Sequence, residues 1–221
     1  MNSKKEIVKS IQRMSGKYSP DNIFNDWVLC SAIAIYNSCF LVHNKAWIER
    51  EERYINTMKK YTLEERQEFV HMLHLLTNAL DERMGDILGE IYMESGAGSK
   101  ATGQFFTPFH ISKLTAEMAL ANEKLNENEI YELNEPSVGG GGMIIATALA
   151  MKERGINYQR CLRVVGQDLD WRSVYMAYVQ FSLLGIDAIV VQGDTLQTPY
   201  VEGMTPENHI LRTPKNMGVL L

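Results

Sequence analysis

Glu135-Pro136-Ser137-Val138-Gly139-Gly140-Gly141-Gly142 is the stretch on which the fold turns. It follows the short apolar run Ile130–Leu133 and opens the helical pattern Met143–Arg154. Glycines at such a corner let backbone approach a ligand closely, and the helix that follows presents free N–H groups. A strand, a glycine turn and a helix therefore read as the start of a parallel α/β unit with a binding corner. Taken alone, the four glycines also fit a plain flexible loop, so the neighbours have to decide.

Downstream, Leu162–Gly166 reads as a strand running into Gln167-Asp168, and Trp171–Leu184 as a helix. Ala188–Gln192 is a further strand, running into Gly193-Asp194-Thr195-Leu196, and Ile210–Leu211 starts another. Upstream, Phe109–Asn122 is a helix. Strands alternating with helices imply parallel pairing in a doubly wound sheet. An acid at the end of the second strand is where a ribose finds acceptors for its hydroxyls, which places Asp168. Asp194, one strand further on, suits the amino group of an adenine. Either acid alone fits an exposed helix cap. Three successive strand ends, each bringing a polar group to one sheet edge, fit an adenosine better. Glu135 then selects among adenosines, because its carboxylate repels a pyrophosphate and suits the cationic end of S-adenosylmethionine (SAM). A nicotinamide dinucleotide, whose fingerprint is GxGxxG, ranks below it.

Residues 1–95 read as a helical region, and Gly96-Ala97-Gly98-Ser99 as the break before an α/β domain over 96–221. Ser19-Pro20-Asp21 starts a helix that continues through the apolar stretch Ile23–Val42. Residues 45–60 form a charged amphipathic helix. Thr62 with Glu65 is a capping box, and the helix behind it should turn Phe69, Leu73, Leu76 and Leu80 inward. Residues 86–95 add a turn or two. Trp27, Tyr36, Phe40 and Trp47 read as core, and Glu49–Arg53 as a solvated face.

Composition narrows the remaining classes. The chain has 221 residues, a net charge of −5 and three cysteines, Cys30, Cys39 and Cys161. The cysteines fit a reducing cytoplasm rather than a disulfide framework. No signal peptide and no 18-residue apolar span are apparent, so neither export nor membrane insertion is expected. The acidic balance argues against a strongly basic nucleic-acid-binding domain, although a local basic surface is compatible with it. Lys4, Lys5, Lys9, Arg13 and Lys17 give such a surface at the N-terminus, read first as a solvated amphipathic helix and second as a phosphate contact. His71 and His74 lie three apart on a helix with no further ligand at suitable spacing, and no metal is expected.

Gly103-Gln104-Phe105-Phe106-Thr107-Pro108 is similar to the GQFFTP segment of the adenine-N6 DNA methyltransferases. In particular it resembles that of the modification subunits of type I restriction-modification systems. Glu135–Gly142 resembles that family's (D/E)PxxGxGG loop, Gly166-Gln167-Asp168 its ribose-holding strand end, and Gly193–Leu196 its GD(S/T)L segment. Asp86–Tyr92 is similar to the helical segment before GQFFTP, so the blocks span residues 86–196 in the family's order. The resemblance implies a Rossmann-like sheet with SAM as cofactor, held by Phe106, Thr107, Pro108, Glu135, Pro136, Gly139, Gly141, Asp168 and Asp194. It also implies DNA as substrate, and a specificity subunit, another protein subunit or a second copy as partner.

One block departs from the family. The catalytic tetrad (N/D)PP(F/Y), which polarises the target amine and stacks on a flipped base, should close a fourth strand. The matching position is His209–Asn216, where Pro214 is kept and Thr213 is the available acceptor. Thr213 and Pro214 are thus the expected remnant of the catalytic turn, in a sheet expected to be shortened at its C-terminal end. Two functions follow. One is SAM-dependent transfer of a methyl group to adenine N6 in DNA. The other is a catalytically impaired SAM-binding homologue that regulates or complements a partner.

Overall fold

The computed structural model describes residues 3–96, 106–123, 126 and 129–219. They fall into two compact units, Met1–Phe105 and Phe106–Leu221.

The first unit is helical, with α1 (Ser3–Met14), α2 (Pro20–Ser38), α3 (Lys45–Met58), α4 (Leu63–Glu82) and α5 (Ile87–Glu94). Its helix starts follow local chemistry. The Ser19 hydroxyl accepts from the Asn22 N–H ahead of Pro20, and Thr62 and Glu65 form a reciprocal capping box. Asp86 caps α5 through the Gly89 N–H. A side chain at position 89 would run into that same carboxylate, which accounts for the glycine. The core gathers Ile7, Ile11, Phe24, Trp27, Met72, Leu76, Leu88 and Tyr92, all 1% exposed or less. Burying each such side chain contributes about 1.5–3 kcal/mol before entropy is counted. The Trp27 indole N–H donates to the Phe69 carbonyl at 3.1 Å, so burying the indole does not strand its donor.

The inward set on α4 differs from the expected one. On α4 the inward positions are Phe69, Met72, Leu75, Leu76, Ala79 and Leu80, whereas Leu73 is only half-buried. The basic N-terminal stretch forms an amphipathic helix as expected, and Lys5, Lys9, Arg13 and Lys17 are exposed. Ile7 and Ile11 are fully buried, Lys4 pairs with Glu90 and Glu94, Lys9 with Glu6 and Arg13 with Glu68. Those cations already face carboxylates of the same unit.

The second unit begins with α6 (Phe109–Leu120) and continues β1 (Tyr131–Glu135), α7 (Gly142–Glu153) and α8 (Tyr158–Cys161). Then come β2 (Leu162–Asp168), α9 (Trp171–Leu183), β3 (Asp187–Gln192), a 3-10 turn (Glu207–His209) and β4 (Ile210–Arg212). The four strands lie in the order β1-β2-β3-β4. β1 pairs parallel with β2, with Glu135 opposite Gly166, and β2 pairs parallel with β3, with Asp168 opposite Gln192. This is a Rossmann-like βαβαβ arrangement. Both crossovers step the same way, so right-handed connections put α7 and α9 on one face of the sheet. Leu162, Val164, Ala188 and Val190 are buried, while Arg163 between them on β2 is exposed.

β4 differs from the parallel strand implied by the alternation. It runs antiparallel to β3, with Ile189 opposite Arg212 and Val191 opposite Ile210. A parallel fourth strand needs a crossover of a dozen or more residues, commonly a helix. The segment after β3 instead holds only turns and one 3-10 turn.

Candidate cofactor site

Because β1, β2 and β3 are parallel, their carboxyl ends converge on one sheet edge, and three loops meet there. The first, Glu135–Gly142, bends through Gly139 at φ +53° and Gly141 at φ +97°, a region open to glycine at little cost. A side chain at Gly141 would meet the Phe181 ring at 2.5 Å, and one at Gly139 would meet Phe106 at 3.1 Å. The glycines are therefore required by close packing on both sides of the loop, not only by the turn. Behind the loop, α7 opens without a side-chain cap, leaving first-turn N–H groups for a ligand.

The second strand end holds the first loop in place. Asp168 accepts the Gly139 N–H at 2.9 Å through one carboxylate oxygen and the Asp170 N–H at 3.0 Å through the other. The Val138 N–H donates to the Gln167 carbonyl at 2.9 Å. The third strand end closes the web: Gly193 N–H donates to the Asp168 carbonyl at 2.9 Å, and the Thr195 hydroxyl donates to the Pro136 carbonyl at 2.7 Å. Asp194 turns one oxygen back onto the Leu196 and Gln197 N–H groups. The structure thus brings Phe106, Glu135, Pro136, Gly139, Gly141, Asp168 and Asp194 to one edge spanning three strands, roughly 10 Å across. Thr107 and Pro108 are exposed, and Pro108 accepts the Ile111 N–H at the start of α6. Gly103, Gln104 and Phe105 lie outside the described residues.

The electrostatics of this edge favour a cation. Glu135 is held above the usual carboxylate range, chiefly because burial penalises its charge, and further by the neighbouring Asp168 carboxylate; the Ser137 N–H opposes both. Apolar surface flanks the acids as well. Leu169 is 66% exposed and Leu196 95%, each one or two residues past an acid. Sequence reading missed Leu169, since a lone leucine in a polar loop carries no pattern, whereas Leu196 closes the GD(S/T)L segment already singled out. Trp171, stacked on Tyr175 at 5.1 Å, begins α9 just behind Asp170. Beyond the end of β3 the segment Thr198–Pro206 roofs a cavity of about 420 Å³. Gln167 ties that roof down, donating to the Thr198 carbonyl and accepting from the Tyr200 N–H. His209 enters the same cavity with Nδ1 2.7 Å from the Gln192 amide oxygen.

Thr213 and Pro214 are not part of this edge. Antiparallel β4 carries them to the start of β3, about 16 Å along the strand from its carboxyl end. Thr213 is fully buried, its hydroxyl donating to the Ile186 carbonyl at 2.8 Å and accepting the Ala188 N–H at 3.0 Å. Asn216 bonds Asp187 nearby. The expected catalytic remnant is, in geometry, a strand-end lock.

Elsewhere, His71 and His74 are exposed, and among the described residues no group of His, Cys, Asp and Glu is arranged to hold a metal ion. The three cysteines are free, and burial pushes the Cys30 thiol up to about 12. Among the described residues no helix is long and apolar enough to cross a membrane.

A family model for N-6 DNA methylase matches residues 80–215, which takes in the whole of this edge. The chain belongs to the N-6 DNA methylase family. SAM is the cofactor of that family. Two solved structures are similar to it. One is the methyltransferase subunit of a type I restriction-modification system from Streptococcus thermophilus, at 18% identity and a TM-score of 0.46, over 88% of this chain and 44% of that one. The other is a putative class I SAM-dependent methyltransferase from Listeria monocytogenes, at 13% identity and a TM-score of 0.41, over 82% of this chain and 55% of that one. The chain thus spans about half the length of each.

Proposed function

We propose that this N-6 DNA methylase binds SAM across the carboxyl edge of β1–β3 and serves methyl transfer to adenine N6 in DNA. The observation that carries the reading is the web joining Glu135–Gly142, Asp168 and Gly193–Thr195, which fixes three polar strand ends into one cradle. The donor set fits the cofactor. Half-buried Glu135 gains a partner when a cationic sulfonium or amino group arrives, and the α7 first turn suits a carboxylate. Asp168 offers acceptors to ribose hydroxyls, Asp194 to an adenine amine, and Leu169 and Leu196 supply apolar faces for the base. Phe106, Thr107 and Pro108 lie on the methionine side, and Pro136 sets the first turn. When bound, SAM supplies an electrophilic methyl group; this chain's residues bind it and orient it.

A specific observation favours a second reading beside this one. Thr213 is engaged inside the sheet, and no (N/D)PP(F/Y) tetrad occurs in the chain. In that reading the chain holds SAM while a partner, a specificity subunit or a second copy, supplies the acceptor and the stacking ring. DNA contact would then rest on the complex, in keeping with the net charge of −5.

Calorimetric SAM binding followed by tritiated-methyl transfer to unmethylated DNA tests both. Micromolar binding with transfer by the isolated chain establishes the first reading. Binding without transfer establishes the second, and no binding overturns both.

A further inference from the structure

We infer that Gln180 of α9 is a positioning residue of the cofactor loop: its buried amide locks the central glycine peptide in the shape the cofactor needs. The inference rests on the cofactor reading above.

α9 presents an apolar inner face, with Val174, Ala177, Tyr178 and Phe181 all 0% exposed. Gln180 is equally buried in the midst of it. A primary amide there costs several kcal/mol unless bonded, so its presence calls for a reason. The structure supplies one: Nε2 donates to the Gly140 carbonyl at 2.7 Å, forty residues away in sequence. The N–H of that same peptide, on Gly141, donates to the Val138 carbonyl at 2.8 Å. Both polar ends of the Gly140–Gly141 peptide are therefore fixed, while Phe181 and Ala177 press against Gly141 from α9.

Four consecutive glycines otherwise have the largest backbone freedom available to a chain. Without the amide, the Gly140 carbonyl loses its buried partner, and the peptide is released to rotate. Such rotation would misdirect the start of α7 and slacken the contact between Gly139 and Asp168. The sheet and its packing against α9 do not depend on that bond. The expected consequence is a loop still present but no longer preorganised, with the loss falling on cofactor affinity.

The experiment compares SAM binding by the full-length wild type, Gln180→Met and Gln180→Glu, alongside thermal unfolding without SAM. Gln180→Met should weaken SAM binding roughly tenfold to a hundredfold. Gln180→Glu adds a readout that a packing role would not move. A protonated glutamic acid still donates to the Gly140 carbonyl, whereas the ionised form repels it, and burial favours the protonated form. Its affinity relative to wild type should approach parity near about pH 5 and fall at least tenfold by about pH 8, where the carboxyl ionises. Taking the ratio at each pH removes the titration of Glu135, which both proteins share. A ratio that stays flat with pH overturns the inference, as does SAM affinity in both variants within threefold of wild type. Should neither variant fold, Gln180 is a core-packing residue and the positioning role falls. If the wild type itself does not bind SAM, the cofactor reading fails first.

Discussion

Asp168 serves two masters, and replacing it with alanine separates them. In the free protein its carboxylate accepts the Gly139 and Asp170 N–H groups, at 2.9 and 3.0 Å. Hydrogen bonds to a charged acceptor are worth about 1.5–3 kcal/mol each when buried, and this carboxylate is only half-buried. Water also replaces part of what is lost, so the net cost of Asp168→Ala is about 2 kcal/mol. At about 4 °C per kcal/mol for a unit of this size, unfolding should fall by roughly 8 °C. The cofactor cost is separate. Two ribose hydroxyls losing a charged acceptor should cost about 2–3 kcal/mol, or roughly 30- to 150-fold in Kd. Asp168→Asn keeps an acceptor for Gly139 and should recover most of the stability but only part of the affinity. Differential scanning fluorimetry without ligand and calorimetry with SAM read the two terms independently. A folded Asp168→Ala protein that binds SAM within threefold of wild type would refute the ribose assignment. Unchanged unfolding would refute the loop-bracing role.

Three further outcomes follow from the same edge. Glu135 is raised above its ordinary value of 4.5, so the free protein is favoured by the neutral form and loses stability as pH rises through the raised value. A cation seated beside it reverses this, so SAM binding under mildly acidic conditions should release a proton that Glu135→Gln abolishes, visible as buffer-dependent binding enthalpy. Gly141→Ala combines a φ of +97° with overlap on Phe181 and should cost about 3 kcal/mol in urea unfolding; Gly155→Ala, at φ +76° with open space around it, should cost about 1 kcal/mol. Thr213→Val strands the Ala188 N–H inside the sheet and should cost about 2 kcal/mol while leaving SAM affinity within twofold. A large loss of affinity in that variant would overturn the purely structural role of Thr213.

The parts of this fold legible in the sequence are those written in short-range chemistry. Ser19, Thr62 with Glu65, and the glycines before α7 each announce a boundary through a local hydrogen-bond or backbone requirement. Asp168 and Asp194 were legible because a parallel sheet sends every strand end to the same edge. The direction of β4 was not. Three residues, Ile210–Arg212, carry no periodicity that distinguishes parallel from antiparallel, and the direction depends on the turn-rich segment before them. That single reversal moved Thr213 and Pro214 from the expected active edge to the opposite one. Gln180 was invisible for a different reason: inside Val174–Leu184 it reads as a polar interruption, and only a contact across forty residues explains it. Leu73 was misassigned because α4 buries a broad stripe through Met72 and Leu75 that a four-residue spacing count passes over.

Trp171 has an optical consequence. Of the three tryptophans, Trp27 and Trp47 lie in the helical unit, so the α/β unit carries a single indole. It sits at the start of α9, its ring stacked on Tyr175 and 6.1 Å from His209, one residue beyond the capping Asp170. Its emission therefore reports the polarity and quenching environment of the sheet's carboxyl edge. Substituting Phe for Trp27 and Trp47 would leave a chain with a native fluorophore beside the proposed cofactor edge, able to follow SAM arrival there in real time without an attached dye.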